Sequence, residues 1–227
     1  MLFKSLLASL AAAQLVAGHG AIVKAVGDMG GSGSAIGIDA STPRDGARRN
    51  PFQADSTRFK NNNADACGET LGGGPNDAAT GVAKIVQESN GMPMISAGGM
   101  VMMTLHQVNG DGAGPYQCMI DSTGTGTGGW TKMEVATNVP GKNSRSKAKA
   151  QDFPLTAKVA ADQTCTGNMG GMENVCMVRC NNAANAGPFG GCVPVQMVGA
   201  GTASDAAPAD ASAKATKADK ATRSFES

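Results

Sequence analysis

The sequence predicts an all-β chain, an immunoglobulin-like antiparallel β-sandwich with long loops and three disulfides. Three observations carry that expectation. Short apolar runs recur between turns rich in Gly, Asn and Pro. Six cysteines follow what reads as a secretory leader, and an even count in that setting reads as paired disulfides. Strong helix signals are missing, and 32 glycines beside a single Trp describe a loop-rich chain with few large anchors.

The leader comes first. Residues 1–18, MLFKSLLASLAAAQLVAG, place Lys4 ahead of an apolar run from Leu6 to Leu15. Val16 and Gly18 occupy the minus-three and minus-one positions of a cut after Gly18. That is the layout of a signal peptide. The run is shorter than the ~20 residues of a membrane span, and no later segment is apolar enough for one. A secreted protein is expected, extracellular or associated with a cell wall, with no membrane span. A cut after Ala17 instead would leave Gly18 first.

Without Lys4 the count of Lys and Arg equals the 18 Asp and Glu. An electroneutral chain gives no reason to expect a nucleic-acid or anionic-membrane partner. The cysteines are Cys67, Cys118, Cys165, Cys176, Cys180 and Cys192. They lack the paired C-x-x-C units of a zinc cluster, and their fifteen conceivable pairings stay open.

Along the chain, AIVKAVGD after His19 reads as a strand and MGGSGSAIGID as a glycine-rich loop with a second apolar run. The segment from Thr42 to Thr70 is polar and turn-rich. GVAKIVQESNG reads as a strand, with one short helix as the alternative. The run Met100–Gln107 suits a buried strand. Alternation puts Met100, Met102, Thr104 and His106 on one face, and Val101, Met103 and Leu105 on the other. Its methionines read as flexible core filling. Further strands are expected around Tyr116–Ile120, TKMEVAT, DFPLTAKVA, NVCMVRCNN and GCVPVQMVG, with KNSRSKAKA as a basic loop. One domain is expected over residues 19–198. From 199 to 227 the chain is Ala/Ser/Lys/Asp-rich with almost no large apolar residue, and a disordered low-complexity tail is expected there.

The chain has two histidines, His19 and His106. A cut after Gly18 makes His19 the first residue and frees its α-amine. Amine and imidazole of one N-terminal His can chelate a metal together, and a second imidazole supplies a third nitrogen. Nitrogen ligands in a planar set favour Cu(II). The candidate is a histidine brace for copper, with His19 and His106 as metal ligands. The rival reading of His106 is a structural histidine at a strand end.

HQVNGDGAGPYQC sets a Gly-rich turn behind His106 and then returns into a strand. It resembles the loop around the second copper histidine of lytic polysaccharide monooxygenases, disulfide-bonded β-sandwiches with an N-terminal His. That resemblance implies an axial aromatic late in the chain, best matched by Phe189 in NAGPFGGCVPVQ, with Tyr116 as runner-up. It also implies a polar residue orienting the oxygen species: Gln196 first, then Gln107 and Glu69.

A wider resemblance runs from His19 to Met197. HGAIVKAVGD, STPRDGARRNPFQADSTRF, MTLHQVNGDGAGPY, NVPG, DFPL, CTG, NVCMVRC and AGPFGGCVPVQM together resemble the fungal appressorium-associated secreted virulence proteins. This implies a role at an infecting or developing cell surface. Three functions follow: copper-dependent oxidation of cell-wall polysaccharide, copper binding without turnover, and a metal-free surface module contacting the host. A monomer is expected. With Trp130 and Tyr116 the sole residues of their types, flat platforms for sugar stacking are scarce. Hydrolysis has little support: no H-E-x-x-H zinc motif and no nucleophile motif occurs beside either histidine, and nothing selects a carboxylate pair.

Overall fold

A computed structural model describes residues 19–199. The expected signal peptide and all but the first residue of the expected tail lie outside the described residues. In chain order the elements are β1 (Gly20–Gly27), β2 (Gly30–Gly33), β3 (Thr57–Arg58), β4 (Glu69–Thr70), β5 (Gly74–Pro75), α1 (Ala78–Ser89), β6 (Met94–Ile95), β7 (Met100–Gln107), β8 (Gln117–Asp121), β9 (Thr131–Thr137), β10 (Gln151–Lys158), β11 (Gly167–Met169), β12 (Met172–Asn181) and β13 (Phe189–Met197).

The chain is mostly β with one short helix, and its layout is now specific. Hydrogen bonding runs β12-β8-β9-β10-β7-β1-β13, and β13 pairs again with β12. Seven strands therefore close into a barrel, with the shorter strands attached outside the ring. Where a sandwich would keep two separate sheets, this ring leaves its seven strands no unpaired edge. All ring pairings are antiparallel except β1 with β13.

The alternation read along β7 is the one the barrel uses. Val101, Met103 and Leu105 are buried inward with Ile22, Leu155, Val178 and Val193. Met100 and Met102 do not fill the core; each is more than a third exposed on the outer wall. A second apolar cluster lies outside the ring, where Val82 and Ile85 of α1 pack near Val175, Met177 and the Cys67–Cys192 disulfide. The other disulfides join Cys118 to Cys180 and Cys165 to Cys176, and no free cysteine remains.

Residues 78–89 form a helix, which corrects the strand reading of GVAKIVQESNG. The Asp77 side chain caps its start by accepting the Thr80 N–H, and Asn90 ends it in the left-handed conformation. Val82 and Ile85, three apart, make one buried stripe. The β-branched residues suggest a strand, but the cap and this spacing decide for a helix.

Candidate metal centre at the barrel end

His19 is seated before β1 begins. Its carbonyl accepts the Val108 N–H at 2.9 Å, and its N–H donates to Asn109 Oδ1 at 2.8 Å. The loop behind β7 therefore grips the chain at His19 by backbone contacts that need small residues. A Cβ on Gly112 would fall 2.2 Å from the His19 carbonyl oxygen. A Cβ on Gly20 would fall 2.4 Å from Tyr116 Oη, which itself donates to the Gly112 carbonyl at 2.9 Å. The pairing of His-Gly with Gly-Asp-Gly is thus mutual close packing.

Cross-strand register relates the two histidines. Gly20 stands opposite Gln107 and Ala21 opposite His106. The same register carries His19 opposite Val108, so His19 and His106 fall on one face as diagonal neighbours, with Cα atoms roughly 7–8 Å apart. His106 is 1% exposed. Its Nδ1 lies 2.6 Å from Oδ1 of Asp152, its register partner on β10. A carboxylate there selects the tautomer with the proton on Nδ1 and leaves a lone pair on Nε2. That Nε2 is buried and has no hydrogen-bond partner among the described residues.

Phe189, at the start of β13, lies against His19 with ring centroids 4.7 Å apart. Asn182 holds it there. Its Nδ2 donates to the Asp111 and Ala113 carbonyls, and its Oδ1 accepts the Phe189 N–H at 2.9 Å. One buried amide thus ties the His-gripping loop to the aromatic ring. On the other flank, a cavity of about 250 Å³ is lined by His19, Arg49, Ser56, Arg58, Glu69, Thr70 and Leu71. Glu69 accepts from Arg58 at 2.6 Å, and that bond holds its carboxyl below the usual range.

The sequence-named residues therefore separate. His19, His106 and Phe189 share one barrel end. Gln196 does not: it lies seven residues beyond Phe189 on the same strand, ~23 Å away, with Nε2 donating to the Glu173 carbonyl. Alternation cannot tell which end of a strand reaches a site. Glu69 faces the cavity instead. Tyr116 is fully buried with its hydroxyl bonded to Gly112, and burial pushes its phenol pKa up, so it stays neutral. Gln107 Nε2 donates to Ser146 Oγ and the Ala148 carbonyl. Sequence reasoning missed Asp152, Asn109, Asn182, Arg49 and Arg58. Their roles come from cross-strand register and loop docking, which leave no local motif.

These atoms suit a metal-binding histidine pair. A ligating imidazole normally anchors its far nitrogen on a carboxylate, as His106 does on Asp152. Among the described residues no group of three or more His, Cys, Asp or Glu side chains is arranged to hold a metal. A metal here would have to rely on the two imidazoles and the His19 main-chain nitrogen.

The sequence model of the Egh16-like virulence factors matches residues 17–190. The chain belongs to that family. The appressoria-specific virulence factor GAS1 of Pyricularia oryzae is 55% identical over 205 residues, covering 89% of this chain and 81% of GAS1. Its counterpart GAS2 from the same organism is 43% identical over 120 residues, covering 51% of this chain and 40% of GAS2. A cellulose-active polysaccharide monooxygenase from M. thermophila aligns over 81% of this chain and 80% of its own, with a TM-score of 0.37 and 15% identity. At that score the likeness carries no inference about the reaction of this Egh16-like protein.

Proposed function

We propose that this Egh16-like protein is secreted by removal of residues 1–18 and holds one copper ion through the His19 amine and imidazole and His106 Nε2, to oxidise cell-wall polysaccharide. The observation that carries the reading is the buried, partnerless Nε2 of His106, with its Nδ1 held by Asp152. Copper bound there supplies one-electron redox chemistry toward dioxygen or peroxide.

The chain's own residues do the rest. Asp152 keeps the His106 proton on Nδ1. Asn109 and Val108 hold the His19 backbone, so little ordering is needed when a metal binds. Phe189 covers the His19 ring and excludes water from that side. Glu69, kept ionised by Arg58, offers a hydrogen-bond acceptor facing the cavity.

Burial favours a second reading, copper held without turnover, because His19 is 6% and His106 1% exposed. Two measurements decide. Protein beginning at His19 is expected to bind one Cu(II), and a version with one extra Gly before His19 to bind at least about 100-fold more weakly, since an amide nitrogen replaces the amine. Equal affinity sinks both copper readings. Oxidised oligosaccharides released from wall polysaccharide with reductant and peroxide support turnover; none released leaves the copper-holding reading.

A further inference from the structure

The chain as a whole is almost neutral, yet its cations are not evenly spread. The basic loop 142–150 docks on the segment that grips His19: Ser146 N donates to the Gly110 carbonyl, and Ala150 N to the Val108 carbonyl. The loop thereby carries Lys142, Arg145, Lys147 and Lys149, all exposed, to one flank of the histidine site. Arg49 and Arg58 line the cavity on the other flank. The strand order β10-β7-β1-β13-β3 puts β1, and His19 just ahead of it, between the two flanks.

Two of the six cations are paired: Arg58 with Glu69 at 2.6 Å and Arg145 with Asp111 at 3.4 Å. Arg49, Lys142, Lys147 and Lys149 have no ion pair among the described residues. Unneutralised cations on both flanks of the histidine site, Arg49 on one and the loop lysines on the other, concentrate positive potential over it and attract a polyanion. A guanidinium fork also matches a carboxylate in shape.

Neutral sugars are usually met by exposed aromatic faces. The large apolar side chains exposed among the described residues are Leu71, Met100 and Met102, none aromatic. Trp130 is turned to other work, with its ring beside Arg179 and its N–H on the Asp65 carbonyl. The exposed aromatic faces that stack on neutral sugars are thus missing among the described residues, while unpaired cations are present.

We propose that the barrel end around His19 binds an acidic polysaccharide, with Arg49 at the cavity taking one uronate carboxylate and the 142–149 loop holding carboxylates further along the chain. This rests on the polysaccharide reading above and names its substrate class. It is tested on copper-free protein, so its outcome is separate from that of the metal site. Oligogalacturonate of about ten units is expected to bind in low salt and to weaken steeply as NaCl rises through 0.05–0.5 M. The same oligomer with its carboxyls methyl-esterified, and cellohexaose, are expected to bind at least about tenfold more weakly. The triple variant Arg49→Gln, Lys147→Gln, Lys149→Gln changes exposed side chains only. It is expected to keep its copper affinity and to lose about tenfold in oligogalacturonate affinity. Equal binding of esterified and free oligomers, or full affinity in the triple variant, overturns the proposal. So does tighter binding of single-stranded DNA or anionic phospholipid vesicles than of oligogalacturonate. Loss of copper binding with oligogalacturonate binding intact would sink the copper site alone.

Discussion

His106 shows how a single side chain acquires a role from its neighbours. Alone it is an imidazole near a strand end; with Asp152 on Nδ1 it presents a lone pair of fixed direction. Replacing Asp152 by Asn keeps the shape but removes the charge that makes Nε2 a stronger donor. Cu(II) affinity is expected to fall about 10–100-fold, with the unfolding midpoint little changed, because the Asp152 side chain is 61% exposed. Unchanged copper affinity in a titration would remove Asp152 from the site. Gly20 makes a complementary test. Gly20→Ala drives a methyl against Tyr116 Oη in a packed region and is expected to cost about 1–3 kcal/mol in urea unfolding. Tyr116→Phe in the same chain is expected to recover part of that loss, which no general intolerance of alanine would produce. The histidines themselves were legible, since the chain has only two and each had an assignable position. Gln196 was not: a residue type suited to the chemistry says nothing about which end of a strand it occupies.

Elements carry the next level. The alternation of β7 was readable because Val101, Met103 and Leu105 make one face apolar, while the burial of its outer face at His106 was not, since loop docking covers that end. Helix α1 is the opposite case. Its start depends on one carboxylate, Asp77, whose pKa is lowered by hydrogen bonds from the Thr80 N–H and hydroxyl. A carboxyl with a depressed folded-state pKa adds stability above its unfolded value of about 3.9. That contribution is lost as pH falls through the lower folded value, so the expected loss lies in the acid range below about pH 4. Asp77→Ala is expected to cost about 1 kcal/mol at neutral pH and to flatten this part of the acid unfolding curve. An unaltered curve would mean the cap contributes nothing. Because Val82 and Ile85 bury against the wall carrying Cys192, fraying of α1 should be felt in the outer apolar cluster first.

At the scale of the molecule, barrel closure and the disulfides act together. Cys67–Cys192 joins residues 125 apart, while Cys165–Cys176 joins residues 11 apart. A cross-link restricts the unfolded chain more when its loop is longer, by roughly 5 kcal/mol for the first and 3 for the second. Changing Cys67 and Cys192 to Ala is therefore expected to lower the urea midpoint more than changing Cys165 and Cys176. The reverse order would place the stabilisation in native packing instead. That the cysteines pair was readable from their even number and their lack of paired C-x-x-C units. Which ones pair depends on strands brought together from distant parts of the chain, as Cys118 and Cys180 are by the β8–β12 register.

What the sequence by itself determined is what local pattern can encode: β-rich character, turn positions, three disulfides and family membership. Those features depend on residue type and short spacing alone. The tertiary structure decided closure into a barrel, the placing of His19 and His106 on one face, the position of Gln196 at the far end of the strand that begins with Phe189, and the gathering of lysines and arginines at one end of a nearly neutral chain. Each of these depends on register between strands far apart in sequence. Register is set by summed packing and backbone hydrogen bonding across the whole barrel, so no short stretch contains it.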